Sequence, residues 1–239
     1  MAEPLLAAGE PAPVTIYNAG GRSPFLLVAD HAGNIVPRTL GRLGVADADF
    51  QRHIAFDIGI AGLARLVIDC NRPPGAPTSI PEISELTPIP GNVGLSAAQR
   101  DAREREIFRP YHDRIEAELD RRQHAGVPTV LIALHSFTPV FNGVARPWHV
   151  ALLYRRDPRL ARCLLDLLKA ESGLAVGDNQ PYFVSDTTDY TIPVHGERRG
   201  LPHALIEVRQ DLIADDTGQQ EWAARLARLL PQAHKQIAA

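Results

Sequence analysis

Val130-Leu131-Ile132-Ala133-Leu134-His135-Ser136 is the stretch that decides the fold. Five apolar residues in unbroken succession suit a strand covered on both faces, since a strand with one wet face would alternate. Four other runs share this character: Phe25-Leu26-Leu27-Val28-Ala29, Leu66-Val67-Ile68-Asp69-Cys70, Val150-Ala151-Leu152-Leu153-Tyr154 and Ala204-Leu205-Ile206-Glu207-Val208. Helical patterns lie between them. Ser96 opens a Ser-Ala-Ala-Gln capping box, and Ile107, Phe108, Tyr111, Ile115 and Leu119 then share a face, with Pro110 expected to kink or split the helix and Gly126 to stop it. Leu160, Cys163, Leu164, Leu167 and Leu168 form a second stripe after Pro158, ending near Gly173. A third runs from a cap at Thr217-Gly218-Gln219-Gln220 through Trp222, Leu226 and Leu229, with Pro231 expected to disturb its last turns. Strand–helix alternation of this kind predicts a three-layer α/β/α sandwich around a mixed, mostly parallel sheet.

The 239 residues, 45% hydrophobic and 22% charged, are expected to form one globular domain, 1–239, with residues 1–13 as a loose lead-in. A net charge of −3 offers no basic footprint for nucleic acid. No apolar run approaches the roughly 20 residues that span a bilayer, and the N-terminal stretch lacks the pattern of a secretory signal. Cys70 and Cys163 both sit in apolar runs and read as buried thiols of a reducing compartment, so a cytoplasmic location is expected. Two long stretches rich in proline and glycine, 73–94 and 174–202, carry Tyr182, Asp186, Asp189, Tyr190, His195, Glu197 and Arg198, which favours ordered loops over a site.

Ligands of open α/β sheets bind beyond the C-terminal ends of the strands. There the sequence places Asp30-His31-Ala32-Gly33-Asn34, Asp69-Cys70-Asn71-Arg72, His135-Ser136 and Glu207-Val208-Arg209-Gln210-Asp211. One histidine at a strand end is an ordinary structural residue, whereas two on separate strands with nearby acids suggest shared chemistry. An ionised Glu207 in an apolar strand needs a partner. Arg209, two residues on and on the same face, makes the pair either a salt bridge or a general base beside a carboxylate-binding arginine. Imidazoles and a carboxylate would suit Zn²⁺ with one position left for water, and no HExxH helix is present, so the ligands would come from separate strands.

The strings LLVADHAGN, DIGIAGLA, RLVIDCNRPP, IPGN, LHSFTPV, RPWHV, VGDNQPY, DYTIPVHGERRGLPH and IEVRQDLI, collinear over most of residues 24–230, resemble the N-formylglutamate amidohydrolase family. The resemblance implies a fold of the zinc-dependent exopeptidase type and hydrolysis of a formyl or related acyl group from glutamate or a similar amino acid. A zinc deacylase for another N-acyl amino acid, or an inactive amino-acid-binding homologue, are the alternatives. It implies zinc, or another divalent metal, on His31 and His135, with Asp57 on a following helix as the acidic ligand and Asn34 or Asp30 as alternatives. Glu207 takes the place of the general base. Asn71 and Arg72 resemble a pair that grips a substrate carboxylate; Arg146 and Arg209 are further anion-binding candidates, and His195 joins the substrate-binding set. The implied partner is a small N-acyl amino acid, and the sequence is silent on oligomeric state. In one respect the chain departs from the pattern. Only a few residues separate Ile60 from Arg65, too few for the ~10–12-residue crossover expected between those motifs, so the local sheet order should differ there.

Overall fold

The computed structural model describes residues 4–57 and 62–238. In chain order its elements are β1 (Phe25–Val28), β2 (Ile83–Ser84), β3 (Thr87–Pro88), α1 (Ala97–Arg103), α2 (Arg109–His124), β4 (Val130–Phe137), β5 (Val140–Phe141), β6 (Val144–Ala145), β7 (Val150–Leu153), α3 (Arg159–Lys169), β8 (Val176–Asp178), β9 (His203–Arg209) and α4 (Asp216–Ala238). The chain divides into two compact units, each built from several segments. The first comprises the residues up to Pro24, Asp30–Thr129 and Asp186–Thr191; the second comprises Phe25–Ala29, Val130–Ser185 and the chain from Ile192 onward.

The second unit holds the five-stranded sheet, in the order β1-β4-β9-β7-β8. Three of its pairings are parallel and β7–β9 is antiparallel, the mixed, mostly parallel sheet the sequence predicts. One face carries Val130, Ile132, Val150, Leu152, Ala204, Ile206 and Val208, which pack on Leu160, Leu164 and Leu168 of α3 and Trp222, Leu229 and Leu230 of α4. Leu131, Ala133, Ala151, Leu153 and Leu205 on the other face are buried too, which explains why these strands read as continuous apolar runs. Strand β8 lies in a stretch the sequence assigns to a loop; three residues carry too little pattern to reveal it. Helix α4 runs through Pro231 without a break, and its first turn is capped by Asp215, whose carboxylate accepts from the Gly218 N–H at 2.9 Å, two residues earlier than the expected Thr217 cap.

In the first unit the capping box is as predicted: Ser96 Oγ accepts from Gln99 N and Gln99 Oε1 accepts from Ser96 N. A π-helical turn, Glu104–Phe108, separates α1 from α2, so Pro110 falls in the first turn of a new helix, where its missing N–H costs nothing. Gly126, at φ 64°, ends the chain's helical run. Within the lead-in, Leu5 is buried and its N–H donates to Glu106 at 2.7 Å.

Leu66–Cys70 is not a strand. It is buried as expected, but side chains serve its backbone in place of a ladder. Asn92 donates to Leu66 O at 2.8 Å, Arg103 donates to Val67 O at 2.9 Å, and Asp69 N–H donates to Ser79 O at 2.7 Å. Its neighbour Ala64 forms an isolated bridge to Gly33, and Leu63 one to Ile35. The short connection after Ile60 falls on 58–61, outside the described residues. His53–Asp57 lies on turns that follow a short 3₁₀ helix, Asp47–Gln51, not on the α-helix expected for Asp57.

Candidate active site

In the first unit the site is organised around His31, the third residue beyond β1. Its backbone O accepts from Asp57 N–H at 2.7 Å, which holds the two residues side by side. The ring lies between two carboxylates: Nδ1 is 3.1 Å from Asp57 Oδ2 and Nε2 is 2.7 Å from Asp69 Oδ1. All three side chains are buried. Burial opposes a charge on His31, but Asp69 and Asp57 outweigh it and raise the imidazole above its ordinary value. Burial likewise pushes the Asp69 carboxyl up, and the neighbouring His31, helped by Arg72, more than reverses this and holds it far below the usual carboxylate range.

Asp57 is fixed from its other side. Its Oδ1 lies 3.1 Å from His53 Nε2 and 3.3 Å from Arg65 Nη1. Arg65 also donates to the Ile54 and His53 carbonyls, so the turn that presents Asp57 is tied down by one guanidinium. One carboxylate oxygen is thus anchored while the other faces His31. Asp30 accepts from Tyr111 Oη and Thr191 Oγ1, and the Asn34 amide donates to Phe50 O, so the two alternative acidic-ligand positions have structural partners.

Asn71 acts as a bracket. Its Oδ1 accepts from the N–H groups of Tyr190 and Thr191 at 3.0 and 3.1 Å, and its Nδ2 donates to Asp189 Oδ1 at 3.2 Å. Its own N–H donates to Asp69 Oδ1 at 2.8 Å, joining the bracket to the carboxylate behind His31. Arg72 donates to Thr188 O and to Asn71 O.

In the second unit the parallel β4–β9 register sets His135 directly against Glu207, both buried and on the sheet face opposite α3 and α4. The same row continues into Ala151 on β7 and Gly177 on β8. Two functional groups are therefore followed by the two smallest side chains available. A Cβ on Gly177 would meet Gln180 O at 2.9 Å and Ala151 Cβ at 3.0 Å, so this position admits only glycine. Arg209 does share the face of Glu207, but its guanidinium forks onto Asp211, Nε to Oδ1 at 2.7 Å and Nη2 to Oδ2 at 3.1 Å. His195 is buried on a π-helical turn, Ile192–Glu197. Arg146 is buried between the rings of Phe141 and Tyr182.

His53 and Arg65 are the residues that sequence reasoning passes over, and the contact of Asp69 with His31 is not legible in it. The His53/Asp57 spacing of four was visible, but it reads as a helical pair and not as a turn in which the histidine braces the acid. In donor chemistry, His31 and Asp57, side by side in the first unit, and His135, buried in the second, are an imidazole–carboxylate–imidazole set of the kind that holds a metal ion.

The sequence profile of N-formylglutamate amidohydrolases matches residues 23–214. The chain belongs to the N-formylglutamate amidohydrolase family. Members are hydrolases of amide bonds with small-molecule substrates, which gives the buried acids and imidazoles a chemical setting. A crystal structure of a gene product of Agrobacterium tumefaciens is 34% identical, with a TM-score of 0.94 over 98% of this chain and 100% of that one. An N-formylglutamate amidohydrolase from Ralstonia eutropha, 21% identical with a TM-score of 0.53 over 98% of this chain and 95% of its own, shares the fold. No curated protein matches the sequence. Among the described residues no helix is long and apolar enough to cross a membrane.

Proposed function

We propose that this chain hydrolyses the acyl amide of an N-acyl amino acid, N-formyl-L-glutamate to formate and L-glutamate, with a divalent metal, zinc foremost, on His31, Asp57 and His135. The observation that carries this reading is the setting of His31. Two ligands 2.0–2.1 Å from a tetrahedral zinc stand roughly 3.3 Å apart, and His31 Nδ1 lies 3.1 Å from Asp57 Oδ2. The opposite ring nitrogen meets Asp69 at 2.7 Å, the carboxylate–histidine arrangement that fixes the tautomer of a metal-binding imidazole.

A bound metal supplies Lewis acidity, polarising the amide carbonyl and acidifying water. The remaining work belongs to the chain. Glu207, on the strand beside His135, takes a proton from the attacking water as its oxygen bonds to the acyl carbon. The same carboxylate delivers that proton to the amide nitrogen as the C–N bond breaks, and returns to its ionised form. Arg146 meets a substrate carboxylate, with Arg72, Asn71, Arg209 and His195 completing the binding set. Asn71 serves it by fixing residues 188–191, and Arg209 by fixing Asp211. With Cys70 and Cys163 both free thiols, we place the protein in the cytoplasm.

The test is metal analysis of the purified chain together with release of the free amino acid from N-formyl-, N-acetyl- and N-succinyl-amino acids. About one metal per chain is expected, with activity lost to a chelator and restored by zinc. Glu207→Gln is expected to keep the metal and lose about 10²–10⁴-fold in turnover. A chain that neither retains zinc nor hydrolyses any of these compounds after zinc addition would overturn the reading. Full activity in Glu207→Gln would remove the glutamate from the base role.

A further inference from the structure

Arg146 is a buried cation without an acid. Only 8% of it is exposed, and among the described residues no carboxylate lies within salt-bridge distance of it. Its one side-chain hydrogen bond is a long one, Nη1 to Thr138 Oγ1 at 3.4 Å. A guanidinium carries five N–H donors, so most of them are left for a ligand or for water. Two aromatic rings, by contrast, lie close against its central carbon. Cζ sits 4.6 Å from the centroid of the Phe141 ring and 4.9 Å from that of Tyr182. Phe141 comes from the β5–β6 hairpin, whose turn, Asn142-Gly143, has positive φ at both positions, 49° and 78°. That pattern makes a tight two-residue turn and a rigid mount for the ring. Both rings remain partly exposed, 36% for Phe141 and 39% for Tyr182, while the arginine between them is not.

With two rings against its central carbon, the guanidinium has its N–H edge left to take a ligand. The complement of that edge is a planar, two-oxygen anion received bidentately. We propose that Phe141 and Tyr182 form an aromatic clamp that presents Arg146 edge-on to a carboxylate of the substrate, making the β5–β6 hairpin the element that selects acidic over neutral acyl amino acids. This rests on the amidohydrolase reading for its substrate and deepens it by naming the residues that set acid specificity. The rings are positioning residues. They hold the guanidinium plane and attract its charge through their π faces, and they take no part in bond making.

The test compares an acidic ligand with its neutral isostere, N-formyl-L-glutamate against N-formyl-L-glutamine in steady-state kinetics, and L-glutamate against L-glutamine in calorimetric binding. Phe141→Leu and Tyr182→Leu are each expected to raise KM for formylglutamate about 3- to 30-fold and to weaken glutamate binding in proportion. The effect should fall on KM, not kcat, and be confined to the acidic ligands. Tyr182→Phe, which keeps the ring, should restore most of the affinity. Arg146→Lys, which keeps the charge but loses the plane, should lose more than either ring variant. Equal losses for glutamate and glutamine, or losses in kcat alone, overturn the clamp, as does a wild-type chain with no preference for the acid. The failure of the two readings can be told apart. Hydrolysis of formylglutamine at the rate of formylglutamate removes the clamp and leaves the amidohydrolase. Clamp-dependent glutamate binding without hydrolysis of any acyl amino acid does the reverse.

Discussion

Asp69→Asn removes one negative charge from behind His31 and little else. Asparagine matches aspartate in size, and its Oδ1 can still accept from His31 Nε2–H and from Asn71 N–H, now 2.7 and 2.8 Å away. The fold should therefore survive, and the effect is electrostatic. In the wild type a buried carboxylate polarises the Nε2–H bond and makes Nδ1 a stronger donor to a metal. Being buried, it is little screened by solvent. Carboxylates that hydrogen-bond to a metal-binding imidazole are worth about 10–100-fold in metal affinity, or about 1.4–2.7 kcal/mol. Zinc dissociation constants from competition against a chelating indicator should weaken by that factor, while circular dichroism and thermal unfolding of the metal-free protein show an intact fold. A folded Asp69→Asn that binds zinc within twofold of wild type would refute the role given to Asp69. The pH dependence follows from the same contacts. Because the His31 value is raised in the folded chain, the stability its two partners lend the metal-free protein is fully present below the ordinary imidazole value. It is lost as pH rises through the raised one. Zinc must displace that proton, so its affinity should fall as the pH drops through the same window.

Gly33→Ala should be among the most damaging single changes available. A Cβ there would stand 2.1 Å from Gly62 O and 2.2 Å from Gly62 C, backbone atoms that cannot rotate away, so low soluble yield or a large drop in Tm is expected. Asn92→Leu would strip donors from the Leu66 and Pro81 carbonyls and an acceptor from Arg103, all in a buried network. At about 1–3 kcal/mol per group left unsatisfied, the loss should be about 3–9 kcal/mol, read as a lower midpoint in denaturant at unchanged m-value. Glu118 is held down to about 2 by its hydrogen bonds to Arg121 and Arg122, against the effect of burial. The stability it gives is present above the ordinary glutamate value and lost as pH falls towards 2. Glu118→Gln should flatten the acid side of the stability profile and matter little at neutral pH.

The sheet was legible because burial on both faces leaves a plain mark. Four of the five apolar runs are its strands, and the parallel order brings His135 and Glu207 into register as strand-end reasoning expects. Leu66–Cys70 carries the same mark of burial but not of pairing. Its carbonyls are met by Asn92 and Arg103, 25 or more residues away, and nothing local distinguishes a buried loop served by side chains from a buried strand. Asp69 was in view as a strand-end acid, yet its role depends on which ring nitrogen of His31 it meets, a matter of a few ångströms that spacing does not encode. For Asn71 and Arg209 the residue type suggested anion binding, while the chain uses their donors and acceptors to fasten Tyr190, Thr191 and Asp211. Arg146 shows the converse. Its want of an acid is visible only once its neighbours are known.

The π-helical turn between α1 and α2 bears on how this protein can change over evolutionary time. Upstream of it, Arg103 points inward to hold the segment leading to Asp69; within it Ile107 and Phe108, and downstream Ile115 and Leu119, line the buried side. Loss or gain of a single residue within Glu104–Phe108 would turn everything beyond it by about 100° relative to Arg103. Lineages of this chain can therefore drift by substitution along the helix, but its length between the buried arginine and the apolar stripe is locked.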